Sequence, residues 1–384
     1  MKDKMPPKLL DSKRIVIKIG SALIAEQPHG HLRSQWLSRC INDIASLYLA
    51  GKEVIIVCSG SVALGRQPLR LGSGALKLEE QQAAGACGQI ILINAWKEKL
   101  NVHGINCAQL LMTIGDTEDR RRYLNARSTI EKLIEHGTVP VINENDTVAT
   151  SELRYGDNDR LAARVAAMAG ADALVLLSDI DGLYTKDPNV NPDAEFVPVV
   201  ENITSDIEEM AGDPIHHISS GGMKTKLAAA HIARNAGCHT IISAGNRDEP
   251  LSHIANGGQC TWFMAQDHPL SARKHWIAGA LDLSGNIYVD DGARAALSKG
   301  KSLLPSGVER IDGDFERGDI VWLRDSEGTI LGKGLIAYTQ EETQQLIGHH
   351  SEDIEDILGY SRGSVLVHSD DMVIETKDLL LHHD

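Results

Sequence analysis

The sequence predicts an α/β fold in which a mainly parallel sheet is sandwiched by helices, with a smaller β-rich domain toward the C-terminal end. Three observations carry this expectation. Over about the first 250 residues, short apolar runs alternate with amphipathic helical patterns, as in parallel strands joined by crossover helices. Hydrophobic residues make up 42% of the chain and aromatics only 4%, so the cores must be built from Ala, Val, Ile and Leu, as in layered helices and buried strands. Near Ala265 the rhythm changes to short β-rich pieces between Gly and Asp turns. A length of 384 residues is too great for one typical domain and comfortable for two.

Residues 1–13, polar and carrying Pro6 and Pro7, read as a flexible extension without the apolar core of a signal peptide. Arg14 to Ile19 is the first strand, an apolar run interrupted by Lys18. Ser34 to Leu49 follows as a helix, its apolar residues three and four apart. The same reasoning gives strands at Glu53 to Cys58, Ile105 to Leu111, Thr138 to Ile142, Ala173 to Leu177 and Thr240 to Ile242. Helices are expected over Glu79 to Leu100, Arg120 to His136, Asn158 to Ala169 and Met223 to Ala236. The first domain thus spans 14–265, and a linker with proline, glycine and charge spans 266–283. In the second domain, 284–375, strands are expected at Asn286 to Val289, Asp319 to Leu323, Gly334 to Ala337 and Val365 to Val367, with a helix near Gly292 to Lys299. Residues 376–384 form a tail.

Charge and cysteine usage narrow the class. A net charge of −15 speaks against general affinity for nucleic acid or anionic membranes. No apolar run approaches the roughly 20 residues needed to span a bilayer, and this together with the cysteine usage leads to the expectation of a cytoplasmic protein. The six cysteines are widely spaced, without a Cys-x-x-Cys pair, and read as reduced core thiols. His216-His217, His349-His350 and His382-His383 lack regular ligand spacing, so no metal-ligating residue is assigned.

The chemistry concentrates where strands end. Asn143-Glu144-Asn145-Asp146-Thr147 follows the fourth strand, and Gly156-Asp157-Asn158-Asp159 opens the next helix. Carboxyl ends of parallel strands are where ligands bind, and such a cluster suits an amino acid: carboxylates for its ammonium, amides for its carboxylate. Ordinary turns and caps are the plain alternative. Lys18-Ile19-Gly20-Ser21 places an ammonium at a buried strand end, costly unless it meets an anion, although it is no standard P-loop. Ser59-Gly60-Ser61 offers backbone N–H donors at a helix start. Ser178-Asp179 through Pro188 can shape a nucleotide pocket, although its Asp-Gly and Asp-Pro pairs also suit ordinary turns. In Ser219-Ser220-Gly221-Gly222-Met223-Lys224-Thr225-Lys226, glycines precede a helix whose N-terminus can hold a polyphosphate, with Lys226 one turn inside.

Together these segments, in this order over nearly the whole chain, resemble the amino acid kinase family, and within it the branch that phosphorylates L-glutamate. The specific signal is Asn143-Glu144-Asn145-Asp146; the glycine loops alone would fit many relatives. The region after Gly285 resembles a PUA domain, with Gly307 to Asp319 and Gly332 to Gly334 in typical places. Ser61 stands where alanine is commoner, and Ser178 and Ser220 where threonine is commoner. The resemblance implies an amino acid kinase fold and ATP-dependent phosphorylation of the γ-carboxylate of L-glutamate, the first step of proline synthesis. It implies Lys18, Lys226 and Asp159 as catalytic residues. Ser59, Asp146 and Asn158 would bind glutamate, and Ser178, Asp179 and Ser220 to Lys226 would line the ATP site. Mg2+ would bridge the phosphates. Proline as feedback inhibitor, a homo-oligomer (dimer or tetramer) and hand-over of γ-glutamyl phosphate to its reductase are also implied. Two alternatives stay open: a related kinase acting on N-acetylglutamate or aspartate, and an RNA-binding PUA protein. Asp146 favours a free α-amino group. From Gly285 onward 20 acidic residues face 9 basic ones, a poor footprint for RNA.

Overall fold

The computed structural model describes residues 6–26, 30–148, 158–211, 222–278, 280, 283–361 and 363–374. Two compact units result, Met1–Pro269 and Leu270–Asp384. Each of the alternating apolar runs of the first unit becomes a strand of one eight-stranded sheet. Its order is Val199–Val200, Thr261–Phe263, His239–Ala244, Ala173–Ser178, Arg14–Ile19, Glu53–Cys58, Thr138–Glu144 and Asn106–Met112. All neighbours run parallel except His239–Ala244 with Thr261–Phe263.

Strand alternation divides the core in two. Ile15, Ile17 and Ile19 pack with Trp36, Leu37, Ile41, Leu92 and Trp96 from the helices Ser34–Leu49 and Leu78–Asn101 on one face. Val16, Ile55 and Val57 pack with Leu161, Val165, Ala229 and Ala233 on the other, beneath the helices Asn158–Ala169 and Met223–Asn235. Small alanines on these last two helices allow a close approach. Lys18 therefore projects toward the second helical layer, among residues that would otherwise be apolar.

Four sequence-based expectations change. Residues 8–13 are not a loose extension, because Leu9 is fully buried in the core and a 3-10 turn spans Leu9–Asp11. The expected linker carries the helix Pro269–Ala278, whose Ile277 is buried against Ile320 and Leu335. In the second unit five strands pair in the order Val308–Gly313, Gly285–Val289, Ile320–Asp325, Ile330–Leu335 and Met372–Ile374. Val365 to Val367 forms no strand, only a bridge from Val367 to Leu303. The strand expected at Gly334 to Ala337 lies earlier, at Ile330–Leu335.

Candidate active site

Three central strands end level with one another, since Ile19 pairs with Cys58 on one side and with Leu177 on the other. Beyond them lie the turns Gly20-Ser21, Ser59-Gly60-Ser61 and Ser178-Asp179. Gly60 has φ +108°, and a Cβ there would press on Ile24 at 3.2 Å, so this turn requires glycine. The turns converge at the open end of a parallel sheet, the usual place for a ligand.

Lys18 Nζ lies 2.5 Å from Asp159 Oδ1, and Lys226 Nζ lies 3.0 Å from Asp159 Oδ2. The three side chains come from a strand and from the first turns of the neighbouring helices Asn158–Ala169 and Met223–Asn235. All are buried, with residue exposures of 5% for Lys18, 2% for Lys226 and 0% for Asp159. Two ammonium groups on one carboxylate give this triad a net positive charge. A charge held away from water is costly by itself and interacts strongly with an incoming anion. Thr225 Oγ1 donates to the Gly222 carbonyl at 2.8 Å and stands 3.4 Å from Asp159 Oδ2. Gly222, Met223, Lys224 and Thr225 open the helix that carries Lys226, where backbone N–H groups suit phosphate. Ser220 and Gly221 lie outside the described residues, as do Gly156 and Asp157.

Beside the charged triad lies a neutral amide cluster. Asn143, 2% exposed, donates from Nδ2 to Gln89 Oε1 at 2.7 Å and to Ser61 Oγ at 3.3 Å. Its Oδ1 accepts from the Glu144 backbone N–H and from Asn158 Nδ2, both at 2.9 Å. Asn158 Nδ2 also donates to the Cys58 carbonyl at 2.7 Å. Ser61 Oγ donates to Asp146 Oδ2 at 2.6 Å. This alters one expectation about amide donors: both Asn158 amide hydrogens are committed to protein acceptors, so its side chain offers an acceptor oxygen. Ser59 sits at the same strand end, its backbone N–H donating to the Ile19 carbonyl at 3.1 Å.

On the opposite side of the triad's strand, Ser178 Oγ donates to Asp179 Oδ1 at 2.9 Å, and Asp179 is exposed. The following loop is held by Gln259 Nε2, which donates to Asp181 Oδ2 at 2.7 Å and lies 3.1 Å from the Tyr184 hydroxyl. Burial pushes the Cys58 thiol up to about 12, so it stays protonated near neutral pH and is no nucleophile. Among the described residues no three His, Cys, Asp or Glu side chains gather as a metal site, and no helix is long and apolar enough to cross a membrane.

Sequence reasoning singled out Asn143 only within its segment and passed over Gln89, Gly85 and Gly88. A Cβ at Gly85 would stand 2.6 Å from Asp146 Cβ, and one at Gly88 only 1.7 Å from the Ser61 carbonyl oxygen. The available signal was the pair of glycines three apart inside a helical pattern, which marks close approach.

Residues 13–243 match the amino acid kinase family, and residues 285–358 match the PUA domain. Glutamate 5-kinase of Rhodopseudomonas palustris is 55% identical over 370 residues, covering 96% of this chain and 98% of that one. Glutamate 5-kinase of Bradyrhizobium diazoefficiens is 52% identical over 368 residues, covering 96% and 99% respectively. In fold, the first unit is similar to a solved structure of carbamate kinase from Giardia lamblia bound to AMP-PNP. That likeness has a TM-score of 0.50 and 17% identity, and covers 67% of this chain and 100% of the other. The chain belongs to the amino acid kinase family.

Proposed function

We propose that this chain transfers the terminal phosphoryl group of ATP to the side-chain carboxylate of L-glutamate, giving γ-glutamyl phosphate and ADP, the first step of proline synthesis. The observation that carries the reading is the buried Lys18, Asp159 and Lys226 triad standing beside the Asn143 cluster. A glutamate side-chain oxygen attacks the γ-phosphorus, and the bond to the bridging oxygen breaks with its electron pair leaving on ADP. No proton need move, because the attacking carboxylate is already ionised. What remains is to hold the partners in line and to meet the charge that spreads over the phosphoryl oxygens.

Lys18 and Lys226 meet that charge from two sides, and Asp159 fixes both ammonium groups. Asp146 takes the α-ammonium of glutamate, which N-acetylglutamate lacks, while Ser59 and Asn158 complete the acceptor site. Ser178, Asp179 and the segment from Ser220 to Lys226 line the ATP site. A magnesium ion would be carried mainly by the phosphates and water, with few protein ligands, and would screen charge on the nucleotide. Proline, which shares the α-carboxylate and amine of glutamate, would compete for the acceptor site. A dimeric or tetrameric assembly and hand-over of the labile acyl phosphate to its reductase belong to the same reading. So does a division of labour in which residues 14–265 perform the chemistry and 284–375 fold separately.

The test is ADP release with a panel of amino acids, each at several proline concentrations. Turnover with glutamate and proline inhibition that weakens as glutamate rises are expected. Turnover with N-acetylglutamate or aspartate in place of glutamate would overturn the substrate, and no effect of millimolar proline would remove the feedback.

A further inference from the structure

We propose that Gln89 is a positioning residue for the acceptor amino acid, acting by anchoring the buried Asn143 amide in the orientation that its backbone neighbours set. The inference rests on the reading of Asp146 and Asn158 as acceptor-site residues. Two backbone groups settle the geometry. The Glu144 N–H, a donor only, lies 2.9 Å from Asn143 Oδ1, and the Cys58 carbonyl, an acceptor only, lies 2.7 Å from Asn158 Nδ2. Asn143 must therefore present Nδ2 on its other side, where Gln89 Oε1 accepts at 2.7 Å.

The consequences run in two directions from that one amide. Asn143 Oδ1 holds Asn158 Nδ2 at 2.9 Å, which turns the Asn158 acceptor oxygen away from the Cys58 strand. Asn143 Nδ2 also meets Ser61 Oγ at 3.3 Å, so the Ser61 proton goes to Asp146 Oδ2 at 2.6 Å. Gln89 touches neither Asp146 nor Asn158 through any of these bonds, yet it anchors Asn143, which holds Asn158 directly and Asp146 through Ser61. The same helix turn is pressed against the pocket, since a Cβ at Gly85 would meet Asp146 and one at Gly88 would meet Ser61. Gln89 is thus held at a fixed distance from Asn143 by glycines on its own helix, and its side chain is half buried.

Removing its oxygen leaves a buried Asn143 N–H without that acceptor, and the unsatisfied donor loosens the amide and the Asn158 and Ser61 side chains that depend on it. Gln89→Met keeps the length and removes the acceptor. It should raise the KM for glutamate on the order of tenfold while kcat and the KM for ATP stay within about threefold. Gln89→Glu, which keeps an acceptor oxygen, should recover most of that affinity. Equal losses in kcat and both KM values with a lowered melting temperature would mark a purely structural role and overturn the proposal. So would an unchanged glutamate KM in Gln89→Met, or a Glu variant as impaired as the Met variant. If the wild-type enzyme turns over a different acceptor, the functional reading fails, and the shift in that acceptor's KM decides Gln89 by the same comparison.

Discussion

The two side-chain clusters at the strand ends differ in chemistry, one charged and one built mainly of amides. The Lys18, Asp159 and Lys226 triad holds three formal charges within hydrogen-bond distance, all at 5% exposure or less. The neighbouring cluster, which the proposed reading gives to the acceptor, is mostly neutral, a relay of amides and one hydroxyl from Gln89 through Asn143 to Asn158 and Ser61, reaching the Asp146 carboxylate. Charges fixed in place are worth most where charge develops during reaction, whereas a saturated amide network is worth most for orientation. The difference teaches where each class of substitution should register: kcat for the triad, KM for the relay.

The sharpest way to break that division is at the triad. Lys226→Met should lower kcat by roughly a hundredfold or more with the glutamate KM within a few fold, because the lost interaction belongs to the transition state. Lys18→Met should behave likewise, with an added rise in ATP KM if its ammonium also meets the ground-state phosphates. Steady-state kinetics on folded variants decide it, and near-normal turnover would remove either lysine from the catalytic set. The acceptor end gives the complementary, smaller effect. Asp146→Asn, which keeps the shape and an acceptor for the Ser61 hydroxyl, should raise the glutamate KM about tenfold to a hundredfold and leave the ATP KM nearly unchanged. A kcat effect exceeding the KM effect would merge the two halves.

How far the two regions could be read beforehand also differs. The triad was legible because a lysine inside the apolar run Arg14–Ile19 breaks the pattern its neighbours set, and because glycines before Lys226 have few other uses. The relay was half legible. Asn143 and Asp146 lie in a conspicuous polar segment, but Gln89 sits on a helix where a polar residue reads as a solvated face. Only its packing partner reveals the role, and that partner is 54 residues away. In the second unit the strand Val308–Gly313 went unread because its sequence, Val-Glu-Arg-Ile-Asp-Gly, is mostly exposed at a sheet edge and lacks an apolar run. Leu9 went unread because the short pair Leu9-Leu10 in a polar stretch has no period to show which of the two is buried.

The wall between the halves and their scaffold offers a test of stability. Gly88→Ala would place a methyl group 1.7 Å from the Ser61 carbonyl oxygen and 2.6 Å from the Gly65 nitrogen, so the helices Ser61–Gly65 and Leu78–Asn101 must part. A loss of about 2 kcal/mol in unfolding free energy is expected, since backbone cannot yield as a side-chain tip does. The glutamate KM should rise with it, because Ser61 carries Asp146. Denaturant unfolding and kinetics on the same preparation check both, and an undiminished stability would mean that the close approach relaxes freely.

The smallest expected effect lies away from the site, at His239 on the strand His239–Ala244. Burial holds its imidazole below the ordinary value, with His268 adding to the shift and Asp172 opposing it. The neutral ring is also the one the fold uses, because Nδ1 accepts the Ala265 N–H at 3.0 Å. The unfolded chain therefore takes up a proton near its ordinary pKa of about 6.5 more readily than the folded one. This contribution to stability is fully present above that pH and is lost as pH falls through it toward the lower folded value. For a half-buried ring partly screened by solvent, the loss should stay below about 1 kcal/mol between pH 7.5 and 5.5. His239→Asn keeps an acceptor for the Ala265 N–H and removes the titration, so its unfolding free energy should fall less over that window than that of the wild type. Parallel pH profiles for the two proteins would show that this histidine is not the group whose burial couples the sheet to pH.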